Sequence, residues 1–170
     1  LQDGAPPTAI DFRDLVVAQG PMLRRIAAAY EADPALREEL GQEILTSIWR
    51  ALPSFRGDAS IRTFVARVAH NRCIDHVARR AALPRSAPLD ESWASDAPSP
   101  LEALERIDQH ERLTRAVRSL PLPLRQVAIQ TLEGFTPAEI ADVLGVGANV
   151  VSVRLTRAKA ALRAILEDGR

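Results

Sequence analysis

A single cysteine, Cys73, and an aromatic content of only 4% are the plainest shortages in this chain of 170 residues. One thiol excludes a disulfide framework and a cysteine-rich zinc site. With so few rings, a core must be assembled from Ala, Leu, Val and Ile, and these together with abundant Arg favour helix. No apolar run reaches the ~18 residues that a membrane span requires. Residues 1–11 are neither basic nor followed by an apolar stretch, so no secretion signal is read there. A phosphate-cradling glycine loop, a Ser-His-Asp set and paired carboxylates are missing too, which argues against an enzyme. The expectation is a soluble, cytoplasmic, all-α protein with no cofactor.

Net charge is also lacking, but only on average. Residues 1–53 carry net −3, residues 54–85 net +5, residues 86–111 net −6 and residues 112–170 net +4. Two basic blocks thus alternate with two acidic ones, a pattern that suits contact with a polyanion as well as it suits ordinary solvated faces. Lysine is scarce as well: every basic residue but Lys159 is Arg.

What the chain does have is punctuation. Residues 84–100 hold four of the twelve prolines, interleaved with Ser, Asp and Ala. Proline removes a donor and disfavours helix in the residue before it, so this stretch reads as a flexible linker. It separates an N-terminal helical domain, residues 1–83, from a C-terminal one, residues 101–170. Domains this small are marginal alone and gain from a docking partner or from each other. Trp93, a lone aromatic in the linker, is either exposed or an anchor.

In the first domain, residues 10–19 and 21–31 read as two short helices broken at Gly20-Pro21. Asp33 then caps a helix with Pro34 at its first position. Leu36, Leu40, Ile44, Ile48 and Leu52 recur along it every four residues, the apolar stripe of an amphipathic helix. Gly41 inside it implies close packing against a neighbour. After a polar loop, Ser60 caps a second long helix running to about Ala82, with Ile61, Phe64, Val65, Val68 and Ala69 as its stripe. His70, Cys73 and His76 step by three on this helix and spread over ~120° of its face. With no fourth ligand near, they are read as no metal site, and Cys73 as a small packed residue.

In the second domain, helices are expected over 101–118 and 122–133. Thr136-Pro137-Ala138-Glu139 is a capping box with proline at the first helical position. Its helix stops at Gly145, and a longer basic helix runs from about Ala148 to Ile165. That is a helix-turn-helix pattern, with Ile140, Ala141, Leu144, Val146, Val151 and Leu155 as its core. An ordinary helical hairpin would share the outline.

With these residues in view, the chain resembles the extracytoplasmic-function (ECF) group of bacterial RNA polymerase sigma factors, in its minimal two-region form. Glu39-Leu40-Gly41-Gln42-Glu43-Ile44-Leu45, then Trp49-Arg50-Ala51-Leu52 and Phe55, match that family's first conserved helix and the segment after it. Ile61-Arg62-Thr63-Phe64-Val65-Ala66-Arg67-Val68-Ala69-His70-Asn71 matches the next helix, continued by Asp75, Arg79 and Arg80. The stretch from Leu132-Glu133-Gly134-Phe135 to Arg157-Ala158 resembles its second conserved region. The resemblance covers about residues 11–82 and 112–166.

The resemblance implies roles. Leu36, Glu39, Leu40, Gln42, Glu43 and Trp49 would dock on the clamp helices of core RNA polymerase. Ser54, Phe55, Arg56, Asp58 and Ser60 would receive a base flipped from the minus-ten element. Asn71, Arg72, Asp75, Arg79 and Arg80 would meet bases and phosphates of the same element. Asn149, Val150, Ser152, Val153, Arg154, Thr156, Arg157 and Lys159 would face the minus-thirty-five element, while neighbouring helices touch the polymerase flap. An anti-sigma factor is the implied regulator, and neither membrane insertion nor a homo-oligomer is expected.

The residues allow this chemistry on their own terms. A base leaves its stack only where another environment replaces stacking and pairing worth a few kcal/mol, and a polar loop beside Phe55 offers one. Arg79 and Arg80 suit phosphates, which fix register. Arg154 and Arg157, three apart on a helix, suit phosphates better than base edges. Asn71 and Asp75 have a local alternative, a surface hydrogen bond or an ion pair with Arg79. The chain departs from the family at Val150, Ser152 and Val153, where Thr, Lys and Ser are usual, and at Gly41 and Phe64. Two other readings stand beside the main one. One is a sigma-like mimic that titrates an anti-sigma protein without binding promoter DNA. The other is a regulator that uses its helix-turn-helix alone, which leaves the docking helix unexplained.

Overall fold

Seven α-helices and one short 3-10 turn make up the regular structure of the computed structural model, which describes residues 10–82 and 101–168. The proline-rich stretch 84–100, with Trp93, lies outside the described residues. Helix α1 spans Phe12–Tyr30, α2 Pro34–Ala51 and α3 Ile61–Ala82, with a 3-10 turn over Leu52–Ser54 between the last two. Helices α4 (Leu101–Ser119), α5 (Leu122–Leu132), α6 (Pro137–Leu144) and α7 (Ala148–Asp168) complete the order.

The expected break at Gly20-Pro21 is absent: α1 runs straight through both residues. Part of a proline's clash is with the side chain before it, and Gly20 has none. The carbonyl that loses its helical bond belongs to Val17, which is 75% exposed, so the gap falls on the solvent side. Elsewhere the local rules hold. Asp33 accepts a 2.9 Å bond from the Leu36 amide, which starts α2. Ser60 Oγ accepts from the Thr63 amide at 3.0 Å, which starts α3.

The N-terminal lobe closes around a single stripe of α2. Leu40, Ile44 and Ile48 are fully buried against Leu23, Ile26, Ala27 and Tyr30 of α1 and Val65, Ala69 and Cys73 of α3. Each large aliphatic buried this way contributes roughly 1.5–3 kcal/mol. Gly41 does not sit against a neighbour as its sequence context implied: a Cβ there would meet nothing within 4 Å. Gly41→Ala is therefore expected to stabilise the protein by about 0.5–1 kcal/mol through helix propensity alone. Thermal unfolding should show a rise of roughly 1–4 °C.

In the C-terminal lobe the capping box is complete. Thr136 N–H donates to Glu139 Oε2 at 2.8 Å, and the Glu139 amide donates back to Thr136 Oγ1 at 3.3 Å. Gly145 ends α6 with φ of 64°, a left-handed turn that a side chain would strain. Val127, Phe135, Ile140, Val143, Val151 and Ala158 form the core of this lobe. Of the core expected for the helix-turn-helix, Ile140 and Val151 are buried, while Ala141, Leu144, Val146 and Leu155 are half-buried.

The lobes meet through arginines. Arg25 of α1 grips Glu133, at the end of α5, with two parallel bonds of 2.8 and 2.7 Å. Arg62 of α3 lies over the Phe135 ring at 4.2 Å and donates to the Glu133 carbonyl. Arg67 donates to the Asp142 carbonyl at 3.1 Å. Glu133 is itself buried, and Arg25 is its ion-pair partner.

His70 and Cys73 are buried in the first lobe, while the buried His76 donates from Nε2 to Glu31 Oε2 at 2.8 Å. Burial raises the Cys73 thiol far above its ordinary range and pushes the His70 imidazole down to about 4. A histidine with a depressed pKa stays neutral in the fold while the unfolded chain takes up a proton near pH 6.5. The stability it contributes is thus complete above that pH and is lost as pH falls toward 4. The loss amounts to about 3 kcal/mol by the end of this window. Urea unfolding at pH 7 and pH 5 should show about 2 kcal/mol of it in the wild type and a much smaller difference in His70→Gln.

Candidate functional site

Helix α2 divides its surface cleanly. The residues three or four apart along its outer side, Glu39, Gln42, Thr46 and Trp49, are all exposed, and Trp49 is exposed to 61%. This is the stripe that can meet another macromolecule. Leu40, which the resemblance placed there, belongs to the opposite stripe and is fully buried. It is a core residue, corrected by the helical period itself: Leu40, Ile44 and Ile48 face one way, and Gln42 and Trp49 another. Leu36 is half-buried between the two.

Glu43 also turns away from the outer stripe. Its carboxylate accepts from Arg79 at 2.6 and 3.2 Å and lies 3.9 Å from Arg72. The hydrogen bond from Arg79 holds the Glu43 carboxyl below its usual range. Arg72 has a second partner in Asp75, 3.7 Å away. The close partner of Asp75 is therefore Arg72, one turn back on the same helix, while Arg79 reaches across to α2. Asn71, Asp75, Arg79 and Arg80 are exposed along α3, and Arg80 Nε lies 3.6 Å from Glu31.

The loop between α2 and α3 has an aromatic floor. Phe55 and Phe64 pack with ring centroids 5.1 Å apart, tilted by 56°. Above them Arg56, Gly57 and Asp58 are exposed, and Gly57 turns the chain with φ of 81°. Ser54 and Ser60, read as base-contacting groups, already have local work. Ser54 Oγ donates to the Ala51 carbonyl at 2.6 Å, and Ser60 Oγ caps α3 and sits 2.9 Å from Thr63 Oγ1. Arg56 and Asp58 are left exposed at the tip.

In the second lobe, α7 projects Asn149, Val150, Ser152, Val153, Thr156, Arg157 and Lys159 into solvent, with Arg154 half-buried. Val150 and Val153 are exposed large apolar side chains on a helix that sequence alone marks as groove-facing. Valines there can touch thymine methyls but cannot hydrogen-bond a base. Between α1 and α2 runs a groove of about 730 Å³ lined by Leu23, Ala27, Ala28, Gly41 and Leu45, with Arg24 and Arg37 at its edge. Its floor is open because Gly41 and the two alanines carry so little side chain.

Sequence reasoning missed the residues that join the lobes: Arg25, Arg62, Glu133 and Phe135. No local signal pairs Arg25 with a carboxylate more than a hundred positions away. The helix caps and turns, by contrast, are written in short motifs.

Similarity to known proteins falls along the same division. The family model for Sigma-70 region 2 matches residues 15–82, and that for Sigma-70, region 4 matches residues 110–162. The chain is 30% identical to ECF RNA polymerase sigma factor SigM of Mycobacterium tuberculosis over 137 residues, 80% of this chain and 64% of that protein. It thus spans somewhat under two thirds of SigM. It is also 30% identical to the ECF RNA polymerase sigma-E factor of Escherichia coli over 132 residues, 71% of this chain and 69% of that protein. Two solved structures share the fold. One is CnrH in complex with the cytosolic domain of CnrY, with a TM-score of 0.67 at 22% identity, covering 94% of this chain and 89% of that one. The other is the sigma factor RpoE in complex with the anti-sigma factor NepR from Bartonella quintana, with a TM-score of 0.69 at 18% identity, covering 94% and 99%.

Proposed function

The chain belongs to the ECF RNA polymerase sigma factors, carrying regions 2 and 4, and we propose that it binds core RNA polymerase and directs transcription initiation at specific promoters. The observation that carries this reading is an adjacency in the first lobe. The outer stripe of α2 ending in Trp49, the Phe55-floored loop and the polar run Asn71–Arg80 of α3 succeed one another on the same lobe. Polymerase docks on Glu39, Gln42 and Trp49, which brings the loop and α3 to the minus-ten element. Arg56 and Asp58 then read a flipped base, while Asn71, Arg72, Asp75, Arg79 and Arg80 hold the strand beside it. Region 4 sets its α7 face, from Asn149 to Lys159, against the minus-thirty-five element.

The charges have two consequences. Glu43 occupies Arg79 and Arg72 before DNA arrives, so phosphates must displace a carboxylate to reach them. The docked lobes must also separate. The two elements lie about 25 base pairs apart, roughly 85 Å along B-DNA at 3.4 Å per step. Lobes joined by Arg25–Glu133 and Arg62–Phe135 cannot reach both. An anti-sigma factor fits this scheme as a helical segment seated in the α1–α2 groove, where it would cover the polymerase-facing side of α2.

Mixing the chain with core RNA polymerase and a promoter fragment tests the reading. A co-eluting complex that makes thymines of one upstream stretch reactive to permanganate supports it. A chain that binds neither core nor DNA, yet captures an anti-sigma protein, would replace it with the mimic.

A further inference from the structure

Where the two lobes meet, apart from the Arg25–Glu133 contact, lies a second cavity of about 310 Å³, and of its lining the sigma reading uses Arg80 alone. It is lined by Tyr30 and Glu31 from the end of α1, His76 and Arg80 from α3, and Arg118 and Arg125 from α4 and α5. Three guanidiniums thus face one carboxylate. That carboxylate is already engaged: Glu31 Oε2 is bonded to His76 at 2.8 Å, and Oε1 accepts the Asp33 amide at 2.9 Å. Of the three arginines only Arg80 comes within ion-pair distance of it, at 3.6 Å. Arg118 bonds the Glu31 carbonyl at 3.2 Å, and Arg125 bonds the Leu120 carbonyl at 3.2 Å and lies 5.8 Å from the centre of the Tyr30 ring.

Carbonyl oxygens satisfy donors but do not neutralise charge. The cavity therefore holds two positive charges beyond what Glu31 balances. Both Arg118 and Arg125 are partly withdrawn from water, and burial lowers their proton affinity; nearby Arg37 and Arg115 lower that of Arg118 further. Among the described residues the Tyr30 hydroxyl and Arg125 Nε are buried and without partners, but both are closed off from the cavity.

We propose that this cavity is a binding site for a small phosphate-class dianion, inorganic phosphate or the phosphate of a small phosphomonoester, held between region 2 and region 4. Two negative charges balance the two excess arginines. Phosphate oxygens accept in the fork geometry of a guanidinium. The volume falls at the low end of small-ligand sites, enough for a phosphate with a modest organic group. Because Arg80 comes from one lobe and Arg118 and Arg125 from the other, the anion binds only the docked arrangement and adds to its stability.

Isothermal titration at constant ionic strength, with sodium phosphate and separately with glycerol phosphate as probes, tests the site on the full chain without polymerase. The expected result is saturable one-to-one binding that weakens at least tenfold in Arg118→Gln and in Arg125→Gln, and severalfold in Arg80→Gln. The three variants remove different groups, and circular dichroism identifies any that fails to fold. Tighter binding of glycerol phosphate assigns the site to a phosphomonoester, and equal binding assigns it to the free ion. No saturable heat with the wild type, or equal heats in all variants, overturns the proposal. So does binding that appears only with duplex DNA, which would make the arginines part of the promoter contact. Since no step involves polymerase, this failure is separable from failure of the sigma reading.

Discussion

Replacing Trp49 by alanine is expected to weaken binding to core RNA polymerase by about 2–4 kcal/mol, roughly 30- to 1,000-fold. Trp49 is the largest exposed apolar side chain on α2 and closes the stripe begun by Glu39 and Gln42. An exposed tryptophan surrounded by polar neighbours suits the anchor position of an interface, where truncation removes both buried area and a filled pocket. Its side chain takes no part in the core of the free protein. Stability should change by less than about 0.5 kcal/mol, as for other surface positions. Leu40→Ala should behave in the opposite way. It empties a fully buried position at a cost of about 2–5 kcal/mol in stability, and its effect on polymerase comes only from the damaged fold. Equilibrium binding and urea unfolding on the two variants separate the residue that docks from the residue that supports it.

Glu133→Ala is expected to raise the affinity for core RNA polymerase, by roughly 10- to 30-fold. In the docked form Glu133 is buried and bonded twice to Arg25, while Arg25 remains 44% open to solvent. Screening on the arginine side reduces the pair well below a fully buried ion pair, to about 1.5–2 kcal/mol. If polymerase accepts only separated lobes, closure by that amount lowers the apparent affinity by the same factor, and removing the pair restores it. Arg25→Gln reaches the same contact from the other lobe and should act in the same direction. Small-angle scattering should show a larger radius of gyration for both variants. Unchanged affinity in both would mean that the Arg25–Glu133 contact does not compete with polymerase.

The elements of this fold are legible wherever a short-range rule decides them. Asp33-Pro34, Ser60 and the Thr136–Glu139 box each start a helix by supplying an acceptor to an amide within three residues. The break expected at Pro21 failed because the rule about proline depends on its neighbour, and Gly20 removes part of the clash. Gly41 misled in the other direction. A glycine can mark a tight approach or an open groove, and only the three-dimensional neighbours distinguish the two. The candidate site was legible as a set of segments, but its internal partners were not. Local spacing suggests Asp75 with Arg79, yet Arg79 lies close enough to α2 to choose Glu43. Ser54 and Ser60 show how small hydroxyl residues in a loop are claimed first by backbone groups, leaving Arg56 and Asp58 for a ligand. The contacts between lobes carry no periodic signal at all, since they depend on how two separately folded surfaces meet.

Run-off transcription with core RNA polymerase on a library of promoter fragments, with and without this protein, tests the central claim most directly. Protein-dependent transcripts should share two spaced elements, and Asn71→Ala should shift the preference at the element nearer the start site while leaving the other unchanged. Absence of both protein-dependent transcripts and binding to core polymerase would contradict promoter-directed initiation.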